Sequence, residues 1–346
     1  MRAVVYESLN TMVVTDRPIP QPGPQQVLIE TAAVGICGTD LHVLQGEFEG
    51  TVFPIVPGHE ATGRVLAVGP GVEGITPGDH VVVAPATSCN KCELCLMGKG
   101  NLCRKWAGIG MVDTDGASQQ QFLAAAELVY TLKPETDLNH AALIEPIACV
   151  IHAYDLIDTK LGQHYLVYGS GTIGLLVAQL ALRVGAASVT VVDISKDRLK
   201  TAQELGFTEL FTSADDSSRD EWDIVIDCTG VIKAIEDGIP RVKPGGTFLH
   251  FGVAPVEARA QYSPFRLFRD EITILGTMAV HQSFGRAVEM FEAGAINPVP
   301  LISHSFAIED YDKALEMFQA GTGRKVQIRP NDTQSRVLLD LSPAGA

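Results

Sequence analysis

A two-domain α/β fold is predicted, in which a mostly-β domain is joined to a doubly wound parallel sheet flanked by helices. Three observations predict it. At 346 residues the chain exceeds the size at which one hydrophobic core usually stops growing. Up to about residue 145, short β-rich runs are separated by Gly- and Pro-bearing turns; beyond it, strand-like and helix-like runs alternate. At the head of that second region a strand runs into Gly169-Ser170-Gly171-Thr172-Ile173-Gly174, which opens a helix.

Taken in order, residues 2–6 and 11–14 read as a hairpin, and the proline-rich stretch 17–24 as a stiff exposed connection. Residues 27–34, 61–69 and 79–83 read as strands of a small twisted β core. Pro146 opens a helix-like run. Strands at 166–168 and 188–193 flank a helix at 175–184; strands at 222–227, 247–252 and 272–276 complete the sheet, with a turn at 243–246. Helical stretches at 284–293 and 311–319 and a last strand at 325–328 read as a return to the first domain. Residues beyond Pro330 carry no usable signal.

The glycine loop is read as a dinucleotide site. Gly169, Gly171 and Gly174 let the backbone approach a pyrophosphate, and the helix opened at Thr172 and Ile173 offers free N–H groups and a partial positive charge. The next strand ends in Asp193, 19 residues after Gly174, placed to accept hydrogen bonds from an adenosine ribose and to repel the extra phosphate of NADP. NAD is the expected cofactor, with Arg198 and Thr229 as further cofactor-facing residues. Lys196 and Arg198 would soften the preference.

Lys and Arg number 26 against 41 Asp and Glu, a formal net charge of -15, which argues against a nucleic-acid partner and for small molecules. With no basic-then-apolar leader and no uncharged run long enough to span a bilayer, the expectation is a soluble cytoplasmic protein without a membrane partner. Seven cysteines in such a chain point to metal ligation or burial. Cys149 and Cys228 lie in apolar runs and read as buried.

Cys89, Cys92, Cys95 and Cys103 form C-x2-C-x2-C-x7-C, four thiolates suited to a closed structural zinc site; an iron–sulfur cluster is the alternative. Lys91, Lys99, Arg104 and Lys105 lie near enough in sequence to offset its negative charge. A second set mixes donor types: Cys37 in Gly35-Ile36-Cys37-Gly38-Thr39-Asp40-Leu41-His42, His59 and Glu60 after Gly58, and Glu145 before Pro146. A thiolate, an imidazole and a carboxylate make three ligands of a catalytic zinc with one open position. Glu60 and Glu145 compete for the third place.

With both cysteine signatures and the glycine loop in this order, the sequence resembles the zinc-dependent medium-chain dehydrogenase/reductase family over about residues 1 to 330. Glutamate at 145 makes it similar to the sorbitol (polyol) and threonine dehydrogenase branches. The resemblance implies a GroES-like catalytic domain at 1–146 and 280–346, with the zinc lobe near 89–103, around a Rossmann domain at 147–279. It implies two zinc ions per chain, with Cys37, His59 and one or both of Glu60 and Glu145 on the catalytic one. Asp40 would orient the His59 ring, and Thr39 and His42 would carry a proton to solvent through the cofactor ribose. The sequence departs from sorbitol dehydrogenases at Gly276-Thr277-Met278-Ala279, where an Arg-Tyr pair is usual, and at 116–121, where Gly-Gly-Phe-Ala-Glu is common.

The expected reaction is oxidation of a secondary hydroxyl of a sugar alcohol to a ketose with NAD. His42, Gln45, Glu47, His281 and Gln282 are the residues read as facing the hydroxyls. L-threonine or another secondary alcohol is the alternative substrate, and a dinucleotide-binding redox sensor the non-enzymatic alternative. The apolar strand 272–276 is read as a pairing edge, giving a homodimer or homotetramer.

Overall fold

The computed structural model of the chain describes residues 1–339. It opens with strands β1 (Arg2–Ser8), β2 (Thr11–Asp16) and β3 (Gln26–Gly35), helix α1 (Gly38–Gln45), and strands β4 (Glu60–Val68), β5 (His80–Val83) and β6 (Ala86–Thr87). Helix α2 (Glu93–Leu96), strands β7 (Ala107–Gly108), β8 (Gln121–Ala125) and β9 (Val129–Thr131), and helices α3 (Leu138–Ala141) and α4 (Ile144–Asp155) follow. Next come β10 (His164–Tyr168), α5 (Thr172–Arg183), β11 (Ser188–Val192), α6 (Lys196–Glu204), β12 (Glu209–Phe211), β13 (Trp222–Asp227), α7 (Ile232–Gly238), β14 (Val242–His250), α8 (Pro264–Asp270) and β15 (Thr273–Gly276). The chain ends with α9 (Phe284–Glu292), β16 (Ile302–Ala307), α10 (Tyr311–Ala320), β17 (Lys325–Arg329) and β18 (Arg336–Val337).

Two compact units result. The first comprises Met1–Ala148, Val280–Gly294 and the described residues from Ile302 onward; the second comprises Cys149–Ala279 and Ala295–Leu301. Residues 340–346, the end of the range expected to return to the first domain, lie outside the described residues.

In the first unit eight strands form one sheet, ordered β18-β16-β17-β3-β4-β5-β9, with β8 also on β3. β3 is its spine. It is mostly buried along its ten residues, because Val27, Ile29, Ala33 and Val34 fill the core between neighbours on both edges. The antiparallel register sets Gly35 opposite Glu60 and Gln327. The end of β3 and the starts of β4 and β17 therefore meet at one place.

In the second unit six parallel strands run in the order β12-β11-β10-β13-β14-β15. Its centre is the fully buried run Trp222-Asp223-Ile224-Val225-Ile226-Asp227, whose apolar Ile224-Val225-Ile226 suits a parallel strand covered on both faces. The chain winds one way from β10 through β12 and the other way from β13 through β15. The loop after β10 thus sits at the carboxyl-end switch point, where such sheets bind ligands.

Several expectations change. The turn expected at 243–246 lies inside β14, where Gly245 at φ 76° absorbs a register shift without ending the strand. α4 starts two residues before Pro146, since proline is tolerated in a first helical turn. Cys149 and Cys228 keep some exposure; Cys228 stands just past the end of β13, where burial still pushes its thiol well up. Among the described residues no helix is long and apolar enough to cross a membrane.

Candidate catalytic metal centre and dinucleotide loop

Cys37 leaves the end of β3 and caps α1 with an extended backbone, φ -122° and ψ 159°. Asp40, fully buried, fixes it from one turn on: Oδ2 accepts the Cys37 N–H at 2.8 Å, and Oδ1 accepts the Gly58 N–H at 3.2 Å. One carboxylate thus ties the two motif segments together. The same Oδ1 faces His59 Nδ1 at 3.7 Å, an electrostatic contact too long for a hydrogen bond. Burial pushes the Asp40 carboxyl up, with the His59 charge opposing it.

Ligand atoms of Cys37, His59 and Glu60 all lie within 4.8 Å of one another, with His59 and Glu60 buried. Burial works against a charged His59, yet Cys37, Asp40 and Glu145 outweigh it and hold the imidazole at about 10. The surrounding charge is therefore strongly negative and favours a cation at this place. A divalent zinc fits both that field and the soft-plus-hard donor set. Glu145, buried in the first turn of α4, is close enough for its charge to raise both His59 and Lys325.

Lys325, the first residue of β17, was not anticipated as a site residue. It is buried, its ammonium pairs with a Glu60 carboxylate oxygen, and it donates to the Ile36 carbonyl at 2.9 Å. Burial opposes the ammonium, but Glu60, Cys37 and Glu145 prevail and raise its pKa. Gly35 makes room for the pair, since a Cβ there would fall 2.0 Å from Glu60 Oε2. No local pattern marks Lys325, because its neighbours arrive from the opposite end of the chain.

Thr39 Oγ1 lies 3.7 Å from Cys37 Sγ. His42, in the last turn of α1, has Nδ1 2.6 Å from the Glu47 carboxylate, so Glu47 is spent on the histidine. His281 and Gln282 line a cavity of about 400 Å³ together with Asn90, Cys95 and Trp106. A larger cavity of about 570 Å³ is lined by Arg17, Asp115 and Gln119. Neither cavity is lined by Cys37, Thr39, His42, His59, Glu60 or Glu145.

In the cysteine lobe the sulfur–sulfur distances are 3.5 Å for Cys92–Cys95, 3.9 Å for Cys89–Cys95 and 3.9 Å for Cys92–Cys103. A tetrahedron with Zn–S arms of about 2.3 Å has edges of about 3.8 Å, so the four thiolates fit a closed zinc site. Backbone N–H groups face the sulfurs. Cys89 N and Lys105 N donate to Cys103 Sγ at 3.3 and 3.2 Å, and those of Cys95 and Arg104 lower the Cys92 thiol to about 6. The Arg104 side chain, expected to offset the thiolates, turns to Glu93 at 4.0 Å.

The glycine loop has the form a dinucleotide needs. A Cβ on Gly174 would lie 1.8 Å from the Gly169 carbonyl, whereas one on Gly171 would meet nothing within 4 Å. The first glycine contact closes the turn, and the second position keeps the backbone open to a phosphate. Gly171 caps α5 without a side-chain acceptor, leaving the N–H groups of Thr172, Ile173 and Gly174 for an anion. Asp193 is buried at the end of β11; its carboxylate accepts Ser170 N at 2.8 Å, Ser170 Oγ at 3.0 Å and Ser195 N at 2.8 Å. Thr229 N and Oγ1 both donate to Asp227 Oδ1, at 2.9 and 2.6 Å. Arg198 lies in the first turn of α6, its N–H donating to the Ser195 cap at 3.4 Å.

A parallel sheet with a glycine loop at its switch point, in one chain with a unit carrying two zinc-compatible donor clusters, defines a zinc-dependent dehydrogenase. Comparison with known proteins agrees. Residues 23–134 match the alcohol dehydrogenase GroES-like domain family, and 172–293 match the zinc-binding dehydrogenase family. D-arabinitol dehydrogenase 1 of Uromyces fabae is 32% identical, over 96% of this chain and 97% of its own. Sorbitol dehydrogenase of Gallus gallus is 33% identical over 96% and 97%. A zinc-binding dehydrogenase of Sinorhizobium meliloti 1021, solved with NADP, superposes with a TM-score of 0.89 at 31% identity, covering 95% of this chain and 99% of that one. The chain belongs to the zinc-dependent medium-chain dehydrogenase/reductase family, in its polyol dehydrogenase branch. Zinc and NAD(H) are the cofactors of its reaction.

Proposed function

We propose that the protein oxidises one secondary hydroxyl of a sugar alcohol to the ketone of a ketose, with NAD as acceptor. The observation that carries this is the mixed-donor cluster of Cys37, His59 and Glu60 in a chain related to arabinitol and sorbitol dehydrogenases. Cys37, His59 and a glutamate, Glu60 or Glu145, hold the catalytic zinc; Cys89, Cys92, Cys95 and Cys103 hold the structural one. When bound, the catalytic zinc supplies Lewis-acid polarisation of the substrate oxygen and NAD accepts the hydride.

The chain's own residues do the rest. Lys325 keeps the Glu60 charge compensated, so the carboxylate is held in place without drawing a second cation. Thr39 Oγ1, beside the Cys37 sulfur, takes the proton of the substrate hydroxyl, and half-exposed His42 delivers it to water. Gly169, Gly171, Thr172, Ile173 and Gly174 hold the pyrophosphate. Asp193 selects NAD, because its carboxylate leaves no place for a ribose phosphate.

β15 pairs only with β14 among the described residues, and Val253, Val256, Phe265 and Phe268 nearby are strongly exposed. An unpaired edge beside apolar surface favours a second copy. We therefore read the assembly as a homodimer or homotetramer, which its mass in solution checks. Seven cysteines, none of them in a disulfide, suit the reducing cytoplasm, which cell fractionation checks.

The decisive experiment is steady-state kinetics on four- to six-carbon polyols, L-threonine, butane-2,3-diol and 2-propanol, with NAD and NADP. A polyol with NAD should give the highest kcat/KM. If L-threonine or 2-propanol led and no polyol turned over, the substrate class would be wrong. Equal efficiency with NADP would overturn the role of Asp193.

A further inference from the structure

We infer that Glu47 is a positioning residue that sets the tautomer of His42 and so gives the proton relay its direction. The inference rests on the reading of His42 as the group that passes the substrate proton to solvent. Gly46, left-handed at φ 78°, ends α1 and turns the chain back on itself. The Glu47 N–H then donates to the His42 carbonyl at 2.8 Å, and the Phe48 N–H to the same oxygen at 3.2 Å. That double tie fixes the backbone of residue 47 against the last helical turn. Its carboxylate thereby reaches His42 Nδ1 at 2.6 Å, although both side chains are partly exposed.

An ionised carboxylate only accepts hydrogen bonds, so the nitrogen facing it must carry the proton. With Nδ1 protonated, the lone pair of the neutral ring is on Nε2. Imidazole in water favours the opposite form, in which Nε2 carries the proton and so can donate but not accept, the lone pair being on Nδ1. A relay running towards solvent during alcohol oxidation needs an acceptor. In the Glu47-bound form Nε2 is free to accept the proton that Thr39 passes on. The ring becomes imidazolium beside the carboxylate, and one proton then leaves to water. The count closes: one hydroxyl proton enters and one reaches solvent per hydride transferred to NAD. Exposed ion pairs contribute little to stability, but a tautomer preference is also small, so a weak pair suffices to reverse it.

The test uses the zinc-loaded enzyme with the best polyol of the panel, comparing E47A, E47Q, E47D and H42A with the unaltered protein. H42A should lower kcat by about a hundredfold and E47A by about tenfold. E47D should retain most activity, and E47A/H42A should be no slower than H42A alone. Long-range proton–nitrogen NMR, with the His42 signals assigned from their loss in H42A, should report Nδ1–H in the unaltered protein and Nε2–H in E47A. An unchanged tautomer in E47A, or unchanged kcat in E47A while H42A is impaired, would overturn the inference and leave the relay standing. Unchanged kcat in H42A would overturn the relay, and with it the catalytic consequence of Glu47.

Discussion

The first unit holds two donor clusters built on opposite terms. Around Cys37 the donors are of three kinds, two are buried, and they come from the ends of β3 and β4, held by Asp40 from within and neutralised in part by the buried Lys325. Around Cys92 the donors are of one kind, lie within 15 residues of one another, and are backed by backbone N–H groups on a lobe whose helix α2 buries no residue. The first site is shaped by a sheet that would exist without a metal. The second rests on short backbone turns and its four sulfurs. A metal in the first is therefore free to serve chemistry, whereas a metal in the second serves the fold.

The sharpest way to break this contrast is at Cys37. C37S removes the one soft ligand while leaving β3, α1 and the Asp40 ties in place. It should lower kcat/KM on the order of 10³-fold or more, matching the several kcal/mol a catalytic metal supplies. NAD affinity and melting temperature should stay close to those of the unaltered protein. Retained turnover would sink the assignment of this centre.

K325M asks whether the first site depends on charge compensation and not on metal alone. It leaves Glu60 buried without its ammonium, and breaking a buried pair from one side costs about 3–5 kcal/mol. Urea unfolding should register that loss. The double variant K325M/E60Q should recover most of the stability, because neither charge then remains, while activity stays low. Equal stability of K325M and the unaltered protein would mean that Glu60 is compensated by something other than Lys325.

Legibility in the sequence follows how local each piece of chemistry is. The glycine loop could be read because a glycine's freedom is a property of its own backbone, and Cys89 to Cys103 because four ligands fall within one loop. Cys37 and His59 were legible as donors, but the bond that unites them, Asp40 to both Cys37 N and Gly58 N, depends on the β3–β4 register. Lys325 was out of reach: it is 289 residues from the Ile36 carbonyl it binds, and only the placement of β17 beside β3 joins them. α1 went unread because its cap is a cysteine and its apolar face is weak. β16, at 302–307, went unread because Ser303 and Ser305 are buried where a strand usually shows apolar residues. The backbone donors that face the sulfurs of the lobe could not be read either, since they depend on how its turns fold.

The smallest effect on activity is expected at Cys95, and it tests the other half of the contrast. C95A leaves three thiolates, too few for a closed site, on a segment with no core of its own. Leu96, Met97 and Leu102 are already exposed there, so a loosened lobe adds apolar surface to solvent. The melting temperature should fall by several degrees, about what loss of 1–2 kcal/mol produces in a chain of this size, and solubility should fall with it. One zinc per chain should remain. Because neither Cys37 nor the glycine loop rests on the lobe, kcat per folded molecule should stay within about twofold, the scale of surface changes away from a site. Loss of turnover at an unchanged melting temperature would make the lobe part of the catalytic machinery and erase the distinction between the two clusters.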